Sequence, residues 1–246
     1  MKKKFTKEIL WLLKEKYKGN KTSAFQLDVE KLRKGAHIDY LIGFVEFAGC
    51  RIDLSKKPFI PRPETEFWVE QATQKIQSPR SHILDMFAGS GCIGIAVLKH
   101  MPNAIVDFAE KEKKFLEQIK INARLNGIDS KRYQVIQSDM FSKVKRKYDY
   151  IFANPPYIAE SKKSKVQKSV LENEPRSALF GGKDGLLYVR QFLKEAKNHL
   201  NPNGKIYMEF DSFQKRPIEK VLKQNIYNNF EFFRDQYKKW RYVVIE

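Results

Sequence analysis

Apolar residues at helical spacing open the chain. Phe5, Ile9, Leu12 and Leu13 fall on one face of a helix within a lysine-rich stretch that runs to about residue 35. Asn20 and the Lys21-Thr22-Ser23 that follows mark a helix stop and a new cap, and a second short helix is predicted over Phe25 to Leu32. Between Tyr40 and Leu54 the pattern changes to that of strands: Ile42, Phe44-Val45 and Phe47, then Arg51 to Leu54, predicting a hairpin turned at Ala48-Gly49. Pro58-Phe59-Ile60-Pro61-Arg62-Pro63 is held extended by its prolines. Glu64-Thr65-Glu66 suits the positive first turn of a helix that runs through Val69 and Ala72.

From residue 82 strands and helices alternate. Strands are predicted at His82–Asp85, Ala104–Ala109, Tyr133–Ile136, Tyr148–Ala153 and Lys205–Phe210, with helices over Cys92–His100, Lys111–Asn126, Leu186–Leu200 and Pro217–Gln224. Asn201-Pro202-Asn203-Gly204 reads as the stop after the third of these helices. The strand over Tyr148–Ala153 is mostly apolar and is expected at the centre of the sheet. Alternation of this kind implies a doubly wound α/β sheet that binds ligands outside the carboxyl ends of its strands. Two final strands, Asn229–Arg234 and Arg241–Glu246, have no helix between them and predict an antiparallel edge hairpin. The chain accordingly divides into a lysine-rich helical segment (1–39), a connecting hairpin (40–58) and an α/β domain (59–246).

Composition narrows the class. The 246 residues are 42% hydrophobic, enough to bury a core. Apolar runs fall short of the ~18–20 residues a membrane span requires. The basic start lacks a following secretory cleavage pattern, so a soluble, cytoplasmic protein without membrane association is expected. Cys50 and Cys92 are too few for a disulfide framework or a zinc site and are expected as buried free thiols. The histidines, His37, His82, His100 and His199, suggest no shared site, and no metal is expected. A net charge of +18 suggests attraction to a polyanion such as RNA, a ribonucleoprotein or DNA. Lysine supplies most of that excess, so a general lysine bias accounts for it equally well.

The chemistry begins after the first strand of the alternating region, in Asp85-Met86-Phe87-Ala88-Gly89-Ser90-Gly91-Cys92-Ile93-Gly94. Glycines at 89, 91 and 94 permit a sharp turn, a close approach to a ligand and tight packing of the next helix on the sheet. Glu110, nineteen residues past Gly91 at the end of the second strand, can accept from both hydroxyls of a ribose. That spacing is common to NAD-binding and S-adenosylmethionine-binding domains, and the glycines alone are also compatible with a structural turn. Asp139, after the third strand, is placed to reach an adenine amino group with Met140 against the base; helix capping is its plainer role.

Asn154-Pro155-Pro156-Tyr157 follows the fourth strand directly. An amide nitrogen is a poor methyl acceptor because its lone pair is delocalised. Attack is helped when acceptors hold both N–H bonds and leave the lone pair aimed at the methyl group. The Asn154 side-chain oxygen and the Pro155 carbonyl can be those acceptors. Pro155 biases Asn154 away from helix, and the Pro-Pro pair stiffens the turn. Tyr157 offers a flat face for a planar amide or base. A bare strand-ending turn would use similar residues, but the order of glycine turn, distant acid and Asn-Pro-Pro-Tyr is that of an amino-group methyltransferase.

From about Tyr40 to its end the chain resembles the protein glutamine N5-methyltransferases that modify release factors, often called HemK or PrmC. Besides Asn154 to Tyr157, the resemblance rests on Ile60-Pro61-Arg62-Pro63-Glu64-Thr65-Glu66 and on Glu174-Pro175-Arg176-Ser177-Ala178-Leu179-Phe180-Gly181-Gly182-Lys183-Asp184-Gly185-Leu186. Asn-Pro-Pro-Tyr is shared with adenine and guanine methyltransferases, whereas the other two segments are more specific to the glutamine enzymes. The resemblance implies a Rossmann-like class I S-adenosylmethionine-dependent methyltransferase sheet carrying the edge hairpin. It implies S-adenosyl-L-methionine as cofactor, contacted by Phe87, Ala88, Gly89, Ser90, Gly91, Glu110 and Met140, with Asp139 beside them. Asn154, Pro155, Pro156 and Tyr157 would hold the substrate glutamine and carry catalysis, Asn154 also bordering the cofactor. Phe87 departs from the pattern, standing where the family's turn has its first glycine. The N-terminal segment is shorter than the helical bundle with which bacterial members dock the release factor. The lysine-rich first helix or Lys162-Lys163-Ser164-Lys165 could supply docking charge, solvated loop charge being the plainer role.

The expected reaction is methyl transfer from S-adenosylmethionine to the side-chain amide of a glutamine, in the Gly-Gly-Gln loop of a peptide chain release factor. The basic surface leaves room for a ribosome or RNA contact. The enzymatic alternative is N-methylation of an adenine or guanine amino group, which the charge favours, although no separate target-reading domain can be carved from the chain. A non-catalytic ribosome-assembly factor is disfavoured by the intact Asn-Pro-Pro-Tyr, and a nicotinamide dehydrogenase by the lack of any substrate-side acid or base.

Overall fold

The computed structural model describes residues 2–76 and 80–246. Helices α1 (Lys2–Glu15), α2 (Ser23–Arg33) and α3 (Ile38–Ile42) share a small core of their own, in which Leu12, Phe25, Leu32, Ile38, Leu41 and Ile42 are buried. Thr22 caps α2 by accepting from the Phe25 amide, as its position predicted. Asp28 is buried among them and accepts from Lys16, Tyr17 and Lys31, which together hold its carboxyl down to about 2 against the opposing effect of burial.

The predicted strand at Tyr40–Ile42 is a helix instead. Ile38, Leu41 and Ile42 recur at helical spacing and bury toward α1 and α2; Gly43, left-handed at φ 96, then turns the chain into β1 (Phe44–Phe47). β1 pairs antiparallel with β2 (Cys50–Asp53) around Ala48-Gly49, both at positive φ, the hairpin the sequence predicted.

The α/β region comprises α4 (Pro63–Lys75), β3 (His82–Met86), α5 (Cys92–His100), β4 (Ile105–Glu110), α6 (Lys113–Leu125), β5 (Tyr133–Gln137) and β6 (Tyr148–Ala153). The short helices α7 (Lys168–Asn173) and α8 (Arg176–Leu179) follow, then α9 (Leu187–Glu195), β7 (Leu200–Glu209), α10 (Lys215–Gln224), β8 (Phe230–Arg234) and β9 (Trp240–Ile245). One seven-stranded sheet has the order β5-β4-β3-β6-β7-β9-β8. The first five of these strands are parallel, while β9 runs antiparallel to β7 and β8 to β9.

Alternation along each strand feeds two cores. Ile83, Val106, Phe108, Phe152 and Tyr207 point to the face covered by α4, α5 and α6, where Trp68, Ile95 and Ile119 meet them. Leu84, Ala109, Ile151, Ala153 and Met208 point to the face covered by α9 and α10. The β1–β2 hairpin lies outside α6 and is held by a ladder of side-chain amides one turn apart. Gln118 accepts from Lys56 N, Asn122 from Asp53 N, and Asn126 from Arg51 N. Asn122 Nδ2 also donates to the Ser90 carbonyl, tying this ladder to the glycine-rich turn.

The helix predicted to run to Leu200 is shorter. It ends at Glu195, one 3₁₀ turn covers 196–199, and Leu200 already pairs with Tyr148. The Asn201–Gly204 segment, expected as a helix stop, is an irregularity inside β7, because pairing jumps from Leu200–Tyr148 to Lys205–Tyr150.

Candidate active site

β3 lies between β4 and β6, so the chain leaves β3 in one direction for β4 and β5 and later returns on its other side as β6 and β7. Such a reversal opens a crevice at the carboxyl ends of the two central strands. The turn after β3 and Asn154 after β6 both border it.

The β3 turn is built from left-handed residues. Phe87 (φ 61), Gly89 (φ 55) and Gly91 (φ 78) all lie in that region, and Gly91 is the residue from which α5 starts. Phe87 therefore adopts a backbone conformation that favours glycine, and its ring packs against Tyr188 and Phe192. Glu110, 8% exposed at the end of β4, accepts from Gly89 N at 2.8 Å and from Glu112 N at 2.7 Å. Burial raises its pKa, and the backbone N–H groups of Glu112, Gly89 and Lys111 oppose that rise. Asp85, fully buried behind the turn, accepts from Gly94 N through Oδ2.

After β5, Ser138 Oγ donates to the Met140 carbonyl, and Met140 is held at φ 48 with its side chain on the cleft wall. Asp139 also borders the cleft, but its carboxylate pairs with Lys111 Nζ at 2.7 Å across the mouth, and both groups are more than half exposed. Of the residues predicted from sequence, Phe87, Ala88, Gly89, Ser90, Glu110, Asp139, Met140, Asn154, Pro155, Pro156 and Tyr157 line this one cleft. Gly91 does not; a Cβ there would press on Ile119, so its part is to start α5 against α6.

On the β6 side, Asn154 Nδ2 donates to Thr65 Oγ1 at 3.4 Å, while Asn154 Oδ1 and the Pro155 carbonyl accept no hydrogen bond from the described residues. Tyr157 reaches Glu209 through its hydroxyl at 3.2 Å; burial and that carboxylate raise the phenol pKa. The loop is backed from behind. Gln214 Nε2 donates to the carbonyls of Tyr157 and Gly185, and Ile158 exchanges backbone bonds with Leu179 and Gly181. A Cβ at Gly185 would lie 2.3 Å from the Tyr157 carbonyl, which explains glycine in that segment.

The two segments singled out beside Asn-Pro-Pro-Tyr meet here. Glu174, its side chain fully buried, accepts from Ile60 N at 3.1 Å and pairs with Arg62. The clamp holds the extended 58–62 stretch so that Phe59 closes one wall of the cleft, with Ser177, Ala178 and Leu179 beside it. Motif spacing gave no access to Phe59, Thr65, Trp68, Tyr188 or Glu209. The one signal for Glu209 was an acid directly after the apolar Ile206-Tyr207-Met208, the same carboxyl-end position that identified Glu110.

The donor set fits S-adenosylmethionine. A buried carboxylate suits a ribose diol, and Met86, Phe87, Ile93, Phe115 and Met140 give apolar walls for a base. At Gly89 a Cβ would meet nothing nearer than the Phe87 carbonyl at 3.9 Å, so a ligand can lie against bare backbone. The sheet order, its antiparallel edge and this cleft are those of a class I S-adenosylmethionine-dependent methyltransferase. Solved structures share the fold. A methyltransferase from Pyrococcus furiosus superposes with a TM-score of 0.59 at 20% identity, covering 80% of this chain and 88% of that one. The ribosomal protein L11 methylase of Lactobacillus delbrueckii gives 0.57 at 19% identity, covering 79% and 83%.

Sequence comparison goes further. Residues 64–183 match the methyltransferase small domain family. The release factor glutamine methyltransferase of Streptococcus pneumoniae is 32% identical over 208 residues, 84% of this chain and 74% of that protein. That of Thermodesulfovibrio yellowstonii is 33% identical over 211 residues, 84% and 75%. The chain belongs to the release factor glutamine methyltransferase family.

Proposed function

We propose that the protein transfers a methyl group from S-adenosylmethionine to the side-chain amide nitrogen of a glutamine in the Gly-Gly-Gln loop of a peptide chain release factor. The observation that carries this is the pair of unengaged acceptors, Asn154 Oδ1 and the Pro155 carbonyl, on the wall of the same cleft as the buried Glu110. Glu110 would hold the ribose of S-adenosylmethionine, the Phe87–Ser90 backbone would contact the cofactor with Gly91 supporting the turn, and Met140 with Asp139 would border the base. Bound S-adenosylmethionine supplies an electrophilic methyl on sulfonium sulfur. Asn154 and Pro155 accept from the two N–H bonds of the glutamine amide, so the nitrogen lone pair is aimed at the methyl group rather than left delocalised into the carbonyl. Tyr157 stacks on the planar group, and Pro156 stiffens the loop. No base is needed before attack, because the methylated amide is strongly acidic until it loses its proton. Orientation supplies the rate.

The surroundings agree with translation in a reducing, cytoplasmic setting. Both cysteines are buried free thiols, and among the described residues no helix is long and apolar enough to cross a membrane. The net charge of +18 supports a ribosome or RNA contact through the lysine-rich surface, and it also favours the second reading, methylation of a nucleic-acid amino group. A methylation assay separates them. Release factor should be labelled and its loop Gln→Ala form should not; label entering RNA or DNA instead would promote the second reading. Asn154→Ala should lower kcat by about 10²-fold or more while S-adenosylmethionine still binds, and retained turnover would overturn the role of Asn154.

A further inference from the structure

Glu209, which methyl transfer as derived above leaves unused, is a buried and fully engaged carboxyl beside the cleft. It ends β7 at 1% exposure, and three donors converge on it. Thr65 Oγ1 and Trp68 Nε1 both donate to Oε2 at 2.7 Å, and the Tyr157 hydroxyl donates to Oε1 at 3.2 Å. An indole N–H can only donate, and the Oε2 that takes it at 2.7 Å accepts from the Thr65 hydroxyl as well. Burial raises the Glu209 pKa, while these donors and the charge of Arg241 oppose the rise. Thr65 therefore directs its single hydroxyl proton at Glu209, leaving only lone pairs toward Asn154 Nδ2, 3.4 Å away.

A side-chain amide has a donating end and an accepting end, and neighbours decide which way it is turned. A threonine oxygen that has already donated its proton can face the NH₂ end alone. We propose that Glu209 and Thr65 form a polarity relay that turns the Asn154 amide, so that Oδ1 rather than Nδ2 is presented to the substrate's N–H. Turned the other way, Asn154 would set a donor against a donor and remove one of the two acceptors that aim the nitrogen lone pair. The same carboxylate anchors the Tyr157 hydroxyl and, through Trp68 stacked on Phe152 at 5.8 Å, locks α4 to β6. Glu209 and Thr65 are positioning residues, since neither lines the cleft. The relay rests on the proposed role of Asn154 as an acceptor.

Three variants of the full chain test it. Thr65→Val removes the acceptor at nearly constant shape, and Thr65→Ser restores it. Glu209→Leu removes the oxygen that takes the Thr65 proton, so Thr65 is free to donate toward Asn154 and reverse the relay. Kinetics on the release factor, calorimetric binding of S-adenosylmethionine and the ¹⁵N side-chain amide signal of Asn154, assigned by its loss in Asn154→Ala, are compared with wild type. Thr65→Val and Glu209→Leu should lower kcat by about 10- to 100-fold, move the Asn154 signal, and leave cofactor affinity within about twofold. Thr65→Ser should stay within about threefold of wild type in kcat. Wild-type kcat and an unmoved Asn154 signal in both disruptive variants overturn the relay and leave the glutamine chemistry standing. If wild type labels no glutamine, the functional proposal falls, and the amide signal alone decides the relay. Should one of the two disruptive variants fail to fold, the other decides it.

Discussion

Phe87 shows how a residue can contradict a motif and still keep its geometry. Its φ of 61 is one that an L-residue adopts at a cost of about 1–2 kcal/mol. The cost is offset by ring contacts with Tyr188 and Phe192 on the face covered by α9. Two substitutions separate these effects. Phe87→Ala loses the ring and keeps the strain; Phe87→Gly loses the ring and relieves it. Phe87→Gly should therefore be the more stable of the two by about 1 kcal/mol, with both below wild type, as read from urea midpoints. Equal midpoints would show that the backbone at 87 relaxes without its ring.

Helix α5 depends on one close approach to the sheet. Gly94 lies in its first turn, where a Cβ would come within 2.3 Å of the Phe108 ring and 2.9 Å of Val106 on β4. Both neighbours are fully buried and have little room to retreat. Alanine at 94, although the better helix former, should destabilise the fold by about 1–3 kcal/mol through overpacking. The shift would also pull the Gly94 amide from Asp85 and disturb the turn that leads to Gly89, so cofactor affinity should fall along with the melting temperature. Unchanged stability in Gly94→Ala would mean that α5 can move off the sheet freely. The third glycine of the motif is thus a packing position, and the glycine that faces the cleft is Gly89.

At the scale of the whole molecule, buried carboxyls set how stability varies with pH. Burial pushes Asp85 up to about 8, with the Gly94 amide opposing and the charge of Glu110 adding to the rise. In an unfolded chain the same group titrates near 3.9, a typical value for aspartate. The folded state therefore holds this proton more tightly. That contribution is complete below about pH 4 and lost as pH rises through about 8. Asp28, held down to about 2, acts in the opposite sense and weakens the fold only as pH falls through the acid range. Asp85→Asn removes the first effect. Relative to wild type it should gain about 4 kcal/mol on going from pH 5 to pH 8.5, measured by denaturant unfolding at both values. A gap that does not change with pH would show that Asp85 ionises in the fold as easily as in water.

Local pattern determined much of this protein. The strands at 82–86, 105–110, 133–137 and 148–153, the turn at Ala48-Gly49 and the closing hairpin were legible because alternation and turn residues report on their own immediate backbone. The glycine turn, Glu110 and Asn154 to Tyr157 were legible for the same reason, since each follows a strand end directly. Where local signals competed, packing won. Tyr40–Ile42 carries β-branched and aromatic residues yet is helical because Ile38, Leu41 and Ile42 share a buried face, and Asn201–Gly204 has the composition of a helix stop yet lies within a strand. Only the tertiary structure decided which residues support the site. Thr65 and Glu209 are separated by 144 positions and Arg62 and Glu174 by 112, yet each pair is bonded at the edge of one cleft. A hydrogen bond across such distances leaves no periodicity in either segment, because it depends on where β6 and β7 place their ends and on the burial that makes each carboxylate require partners.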